Sequence, residues 1–451
     1  MNSSVWPEGE RVHVTNVNVP ESLIANDAPA TADIEGLKLV DLVFDGGNLA
    51  AILPAGSESC APRFDADGGQ AWPPFADLHT HLDKGQIWSR ATNSDGTIET
   101  ARAKARADTI ANWNAEDVQA RFEFSLKAAY VHGTAAIRTH IDCFVPGQAD
   151  ISFNVFRRLR ERWSGRIALQ AVAMVGPELY DSAENAGLID MITDAGGRLG
   201  GITFRLADQE DPAILDRRLD RLFALAHSRG LDIDLHVDEN GHSASTTLAQ
   251  IAEAVLRTGF RGQVVCGHCC SLSVQEDAEA ARIIGLVREA GLIIVSLPLV
   301  NEFLQGRKRG GTPTWRGITL LRELQSAGVP VVLASDNCRD PFHAFGDMDL
   351  LDVLGGGVRI GQLDAEIGKW SAAVIKTPSA VMGIEKSGIF RPGATADLIL
   401  FKGRSYSELF ARRQADRVVI RSGRPIDSTL PDFRTLDHLT RPTVDIANRS
   451  I

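Results

Sequence analysis

The chain predicts an α/β fold, a (β/α)8 TIM-type barrel with a small β-sandwich built from both termini, and three observations carry that expectation. Eight short apolar or β-branched runs recur between Trp72 and Ala334, separated by segments with helical spacing. Several helical segments stop at a glycine in the closing position: Gly230, Gly291 and Gly328. The runs also end in histidines and carboxylates, at the strand ends where such barrels keep their chemistry.

The eight expected strands are Trp72 to Leu78, Ala135 to Thr139, Ile167 to Val172, Gly201 to Phe204, Asp232 to Leu235, Gln263 to Cys266, Leu292 to Leu297 and Val329 to Ala334. Helices are expected over Ala213 to Arg229, Ala244 to Thr258, Asp277 to Ala290 and Gly317 to Ala327. Before the barrel, Val12 to Val19, Leu37 to Phe44 and Leu49 to Leu53 read as strands, with Asp45-Gly46-Gly47 as a turn. After it, Ala396 to Phe401 and Arg417 to Arg421 read as two more. Residues 1–70 and 388–451 are therefore assigned to the sandwich and 71–387 to the barrel. Gly355-Gly-Gly357 reads as a loop or tight packing, not a phosphate cradle.

At 451 residues and 44% hydrophobic, the chain can fill a barrel and a smaller module. A formal net charge of -11 argues against a nucleic-acid partner, which demands a basic surface. Six cysteines without framework spacing suit a reducing compartment. No apolar run is long enough to span a membrane, and the start lacks a basic segment followed by an apolar one, so a cytoplasmic protein is expected. The expected partner is a small molecule, and a homo-oligomer stays open.

The first barrel run ends Phe75-Ala-Asp-Leu-His79-Thr-His81-Leu-Asp83-Lys84. Side chains alternate along a strand, so His79 and His81 share a face and can grip one cation. Alone, this spacing is weak evidence, and two polar residues at a strand exit is the plainer reading. The fifth run ends in His236-Val-Asp-Glu239, the sixth in His268 and the eighth in Ser335-Asp336-Asn337. Each has a plain alternative as a satisfied polar residue or a cap. Four strand ends delivering imidazoles and carboxylates to one mouth do not share that explanation. Three neutral imidazoles and a carboxylate suit a borderline divalent ion, zinc or ferrous iron, with an open position for water.

With His79-Thr-His81-Leu-Asp83, Asn93-Ser-Asp-Gly96-Thr97, Arg138-Thr-His140-Ile-Asp142, His236-Val-Asp-Glu239, Gly267-His268, Pro298-Leu-Val-Asn301, Leu304-Gln305-Gly306-Arg307 and Ser335-Asp336-Asn337, the chain resembles the amidohydrolase superfamily from about Trp72 to Pro425. Within it, the resemblance is to the branch of cytosine deaminase and N-isopropylammelide amidohydrolase. It implies that His79, His81, His236 and Asp336 hold one metal, that Glu239 shuttles protons and that His268 assists at the attacked centre. The chemistry fits those roles: a divalent ion brings the pKa of its water toward neutrality. Asp336 can hold that water's proton, Glu239 can carry one to a ring nitrogen or leaving amine, and His268 can donate to the tetrahedral centre.

Absences narrow the class. Barrel hydrolases with two metals bridge them by a carboxylated lysine at the fourth strand, but that strand ends Ile202-Thr203-Phe204-Arg205 and no lysine lies between Lys127 and Lys308, so one metal is expected. Neither His-Glu-x-x-His nor the His-x-Glu with Pro-Cys-x-x-Cys of the other deaminase fold is present. Cys266, Cys269 and Cys270 around His268 read as core or wall residues.

Cytosine itself is disfavoured. Asn337 stands where the branch commonly has a second aspartate, Phe342 where it has tryptophan, and the third-strand exit lacks the pyrimidine-reading glutamine. Lys84 after His-Leu-Asp, together with Ser335-Asp336-Asn337, resembles instead the branch that hydrolyses N-alkylated aminotriazines. Gln305, Asn337, Phe342, Lys84 and Arg205 are the candidate substrate contacts; loop amides capping backbone, and cations pairing with carboxylates, are the competing roles. The expected function is hydrolysis of an exocyclic C–N bond in a small nitrogen heterocycle such as a pyrimidine or aminotriazine. Ring opening of a cyclic amide is the alternative, and a barrel that serves only as a scaffold is a more distant one.

Overall fold

The structure, a computed structural model, describes residues 6–58, 61–181, 185–203, 211–384 and 386–440. Five strands precede the barrel: β1 (Arg11–Pro20), β2 (Leu37–Asp45), β3 (Asn48–Pro54), β4 (Arg63–Asp65) and β5 (Gln70–Trp72). The barrel strands are β6 (Phe75–Thr80), β7 (Thr134–Asp142), β8 (Ala168–Met174), β9 (Arg198–Thr203), β10 (Ile233–Val237), β11 (Val264–His268), β12 (Ile293–Ser296) and β13 (Val331–Leu333). Three more follow: β14 (Leu398–Phe401), β15 (Val418–Arg421) and β16 (Arg424–Pro425).

Strands β6 to β13 pair in sequence order, each parallel to the next. A parallel bridge between Thr80 and Asp336, with the Asp336 N–H donating to the His79 carbonyl at 2.9 Å, joins the last strand to the first. All eight expected strands are present. Their register differs at the start: Gln70–Trp72 joins the terminal sheet, and the barrel begins only at Phe75. Pro73 and Pro74 intervene, and a proline has no N–H to give to a ladder.

The helices close as their glycines require at Gly230, which sits at φ 63° after the helix Pro212–Arg229. The expected helix from Gly317 is shorter, Leu321–Ser326. At Gly317 the chain is left-handed (φ 81°), and an added Cβ would lie 2.7 Å from the Asn301 carbonyl oxygen, so this residue is a close-packed corner. The helix expected from Ala244 begins at Thr247 because Ser245 and Thr247 turn their hydroxyls onto Asp238.

Ala76, Leu78, Ala136, Val265, Val295 and Val332, from five barrel strands, form one apolar cluster with Val381 and Met382. A buried polar bridge crosses the barrel beside it: Arg138 on β7 donates to Asp234 on β10 at 2.8 Å and to Gln170 on β8 at 3.1 Å. The terminal strands make a separate sheet in the order β16-β15-β14-β5-β1-β2-β3, with β4 also on β1. They are hydrogen-bonded as one sheet, and β1 is irregular between Val14 and Val17, where Asn16 is left-handed (φ 52°). Residues from both limbs, including Val12, Phe64, Leu398 and Ile420, share one core. Among the described residues no helix is long and apolar enough to cross a membrane.

Candidate active site

Four barrel strand ends meet. His79 is the penultimate residue of β6 and His81 follows that strand directly; His236 lies on β10, His268 ends β11 and Asp336 follows β13. The Asp336 carboxylate is 3.1 Å from His81 Nε2, 3.6 Å from His79 Nε2 and 4.0 Å from His268 Nε2. His81 Nε2 and His236 Nε2 stand 3.2 Å apart. His268 and Asp336 both adopt left-handed backbone, at φ 69° and 61°, which turns their side chains inward at the strand exits. Such strain in non-glycine residues persists only where surrounding structure enforces it.

The imidazoles are set up to be neutral. Burial lowers the pKa of His79, His81 and His236 well below its ordinary value, and neighbouring imidazoles, with Lys84 beside His81 and His236, push further down. Burial also lowers His268, against the nearby Glu239. For Asp336 burial raises the carboxyl well above the carboxylate range, and Glu239 adds to it. Both His79 ring nitrogens, His268 Nε2 and both Asp336 oxygens are sealed from solvent without a hydrogen-bond partner. Orphaned buried polar atoms are costly, and a cation held by the Asp336 oxygens and the acceptor nitrogens of the imidazoles removes the cost for those acceptors. These residues fit a divalent metal.

Around them the loops are pinned. Asp83 accepts from the Asp142 N–H at 3.0 Å, and the Arg121 guanidinium holds the Asp83 and Gly85 carbonyls at 2.6 and 2.8 Å. Burial pushes Asp83 up to about 6. After β10, the Asp238 carboxylate takes the Ser245 and Thr247 hydroxyls at 2.6 and 2.8 Å and the Leu248 N–H at 3.0 Å. That anchor fixes the next residue, Glu239, whose Oε1 lies 3.4 Å from His268 Nδ1. Asn301 Nδ2 is 3.0 Å from the same Nδ1. With Asn301 donating to Nδ1, the neutral ring carries its proton on Nε2, facing Asp336; with the proton on Nδ1, it faces Glu239.

A cavity of about 740 Å³ opens over this cluster, lined by His81, His236, Glu239, His268 and Asp336 on its floor. Three expected substrate contacts line it too: Lys84, Asn337 and Phe342. The Lys84 ammonium, buried, sits 4.4 Å from the centre of the Phe342 ring. Gln305 does not line the cavity; its amide reaches the Glu239 carbonyl at 3.4 Å, the loop-supporting role weighed against ring reading. Arg205 lies outside the described residues.

Two groups had no assigned role in the sequence. His140 on β7 is fully buried, its ring centroid 3.9 Å from that of His79; it joins His79 and His236 in one possible ligand group, the other being His79, His268 and Asp336, with His81 in neither. It belongs to Arg138-Thr-His140-Ile-Asp142, but its strand position alone does not show that its ring packs against that of His79. Asp340, likewise buried, holds the Asn337 amide. Cys266, Cys269 and Cys270 are buried, with thiols raised by burial, in the packing rather than in either ligand group.

Comparison with known proteins agrees with this geometry. The model of the family described as "Amidohydrolase family" matches residues 151–427. The chain is 47% identical over 434 residues to pterin deaminase of Rhizobium rhizogenes, covering 96% of this chain and 97% of that one. It is 25% identical over 382 residues to N-isopropylammelide isopropyl amidohydrolase of Pseudomonas sp. (strain ADP), covering 81% and 87%. In fold it resembles 5-methylcytosine deaminase from Klebsiella pneumoniae liganded with 5-fluorocytosine, with a TM-score of 0.75, 23% identity and coverage of 93% and 98%.

Proposed function

The chain belongs to the amidohydrolase family, and on that premise we propose that it is a mononuclear metal-dependent deaminase of a fused amino-oxo heterocycle of the pterin kind. The observation that carries this reading is the convergence of His81, His236 and Asp336 on the floor that Glu239 and His268 share, with His79 buried 3.6 Å from Asp336 behind them and sealed, unpartnered polar atoms among the group. The relative at 47% identity over nearly the whole chain supplies the substrate class, a bicyclic enlargement of the pyrimidine or triazine expected from the motifs. A cavity of about 740 Å³ has room for it.

In this reading His79, His81, His236 and Asp336 hold one zinc or iron. A divalent cation there supplies Lewis acidity, lowering the pKa of water toward neutrality. The chain's own groups do the rest. Asp336 holds a proton of the attacking water. Glu239 carries a proton to the ring nitrogen and then to the departing amine, which leaves as ammonia. His268, with its Nε2 proton facing the floor, donates to the centre where charge develops. Lys84 over Phe342 meets the ring's oxo side. The three imidazoles of His79, His81 and His236 stay neutral, and so able to ligate, because burial holds their proton affinity down.

Ammonia release from 2-amino-4-oxopteridine, cytosine, N-isopropylammelide and a cyclic ureide, measured side by side, tests the reading. The aminopteridine is expected to give the highest kcat/KM. Ring opening of the ureide with no ammonia from any amino-heterocycle would overturn it.

A further inference from the structure

The turn after the metal aspartate contains a carboxylate that the proposed mechanism does not use. Asp340 is fully buried. Its Oδ1 accepts from the Phe342 N–H at 2.8 Å and the His343 N–H at 3.2 Å, and its Oδ2 accepts from Asn337 Nδ2 at 2.6 Å. A bridge between Asp340 and His343 locks the turn, each N–H donating to the other's carbonyl at 3.0 and 3.1 Å. The carboxylate therefore cannot turn away from Asn337 without losing two backbone donors.

This fixes which end of Asn337 meets the cavity. An amide carries a donor end and an acceptor end, and turning the acceptor onto Asp340 would set two oxygens against each other at hydrogen-bond distance. Nδ2 is thus committed to Asp340, while Asn337 Oδ1 has no partner among the described residues and is not one of the solvent-sealed atoms. Asn337 lines the cavity directly after Asp336. The same carboxylate, through the Phe342 N–H, sets the ring on which Lys84 rests.

We propose that Asp340 is a positioning residue that fixes the hydrogen-bond polarity of the substrate wall: it makes Asn337 an acceptor toward the cavity, so the site selects a heterocycle that presents an N–H donor there. This deepens the deaminase reading and rests on it for the substrate class. An amine-bearing ring satisfies such a wall. A ring with an oxo group at that place faces it with a second acceptor.

Asp340→Asn is nearly isosteric and reverses the logic. One oxygen of the new amide still serves the turn, but its NH2 now points at Asn337, which must offer its own oxygen and present its NH2 to the cavity. Asn337→Asp combined with Asp340→Asn swaps the pair and returns an acceptor to the cavity. Binding is read in a Glu239→Gln background, where ring recognition is separated from turnover, by calorimetric titration of metal-loaded protein with 2-amino-4-oxopteridine and 2,4-dioxopteridine. We expect the amino ring to bind more tightly, the preference to fall about tenfold or more in Asp340→Asn, since a mispaired buried polar group costs that much, and the swapped pair to recover it to within about threefold. A preference unchanged in Asp340→Asn, or not recovered in the swap, overturns the proposal, since a merely structural carboxylate would not be rescued. Should Asp340→Asn fail to fold, the swapped pair is read alone: a retained preference supports the proposal and a lost one overturns it. If wild type releases no ammonia but binding follows the swap, the deaminase reading fails and this one stands; if neither ring binds, both fail.

Discussion

Replacing Glu239 by glutamine removes a proton carrier and little else. Its carboxylate is 11% exposed, lines the cavity floor and sits 3.4 Å from His268 Nδ1, a distance an amide can keep. The loop that carries it is held from behind by Asp238 and not by Glu239 itself. Stability should therefore change by no more than about 0.5 kcal/mol. Metal content should match wild type, since Glu239 is in neither group of converging ligands. Turnover should fall by about 10²- to 10⁴-fold, as for loss of a general acid-base, equivalent to roughly 3 to 5 kcal/mol of barrier at 1.36 kcal/mol per decade. The fall should be in kcat, with KM within about threefold, because the ring binds before the proton moves. Steady-state ammonia release with elemental analysis of the same preparation reads both. A kcat within about threefold of wild type, with metal retained, would refute the role; loss of metal would show that Glu239 holds the site together.

Purified protein should carry about one zinc or iron per chain, and His79→Ala, His81→Ala, His236→Ala and Asp336→Ala should each lower occupancy; an obligatory pair of metals, or full occupancy in all four variants, would refute the ligand set. Gly267→Ala should weaken metal binding severalfold, because its Cβ would lie 3.0 Å from His79 Cε1 and 3.1 Å from Nδ1 and displace that ring; competition with a chelator measures it, and unchanged affinity would show that His79 has room to yield. In metal-free protein His79, His81 and His236 should stay neutral between pH 7.5 and 6, since burial holds their proton affinity below the ordinary value of 6.5; imidazole NMR titration reads this, and any of the three becoming protonated above pH 6.5 would contradict it. Arg138→Met leaves Asp234 buried without its partner at 2.8 Å and should cost about 3 to 5 kcal/mol in urea unfolding; a loss under about 1 kcal/mol would mean that the Asp234 carboxyl, which burial already pushes up to about 6, is protonated without penalty.

The sequence by itself determined the barrel and the gathering of imidazoles and carboxylates at its strand exits. Strand periodicity, helix-closing glycines and the imidazoles and carboxylates at strand exits are local signals, each legible within a few residues, and all eight strands are present with their ends offset by a few residues. Pro73 and Pro74 were equally visible, yet which sheet claims Trp72 depended on β14, more than 300 residues away, and only folding brings that partner in. Orientation and pairing across the fold were decided by tertiary structure alone. Nothing local distinguishes Gln305, whose amide supports the Glu239 backbone, from Lys84, which lines the cavity. His140 packed against His79, and Asp340 turning Asn337 outward as an acceptor, follow the same rule: a side chain's type is written in the chain, but which of its atoms faces a ligand is set by the partner that takes the others.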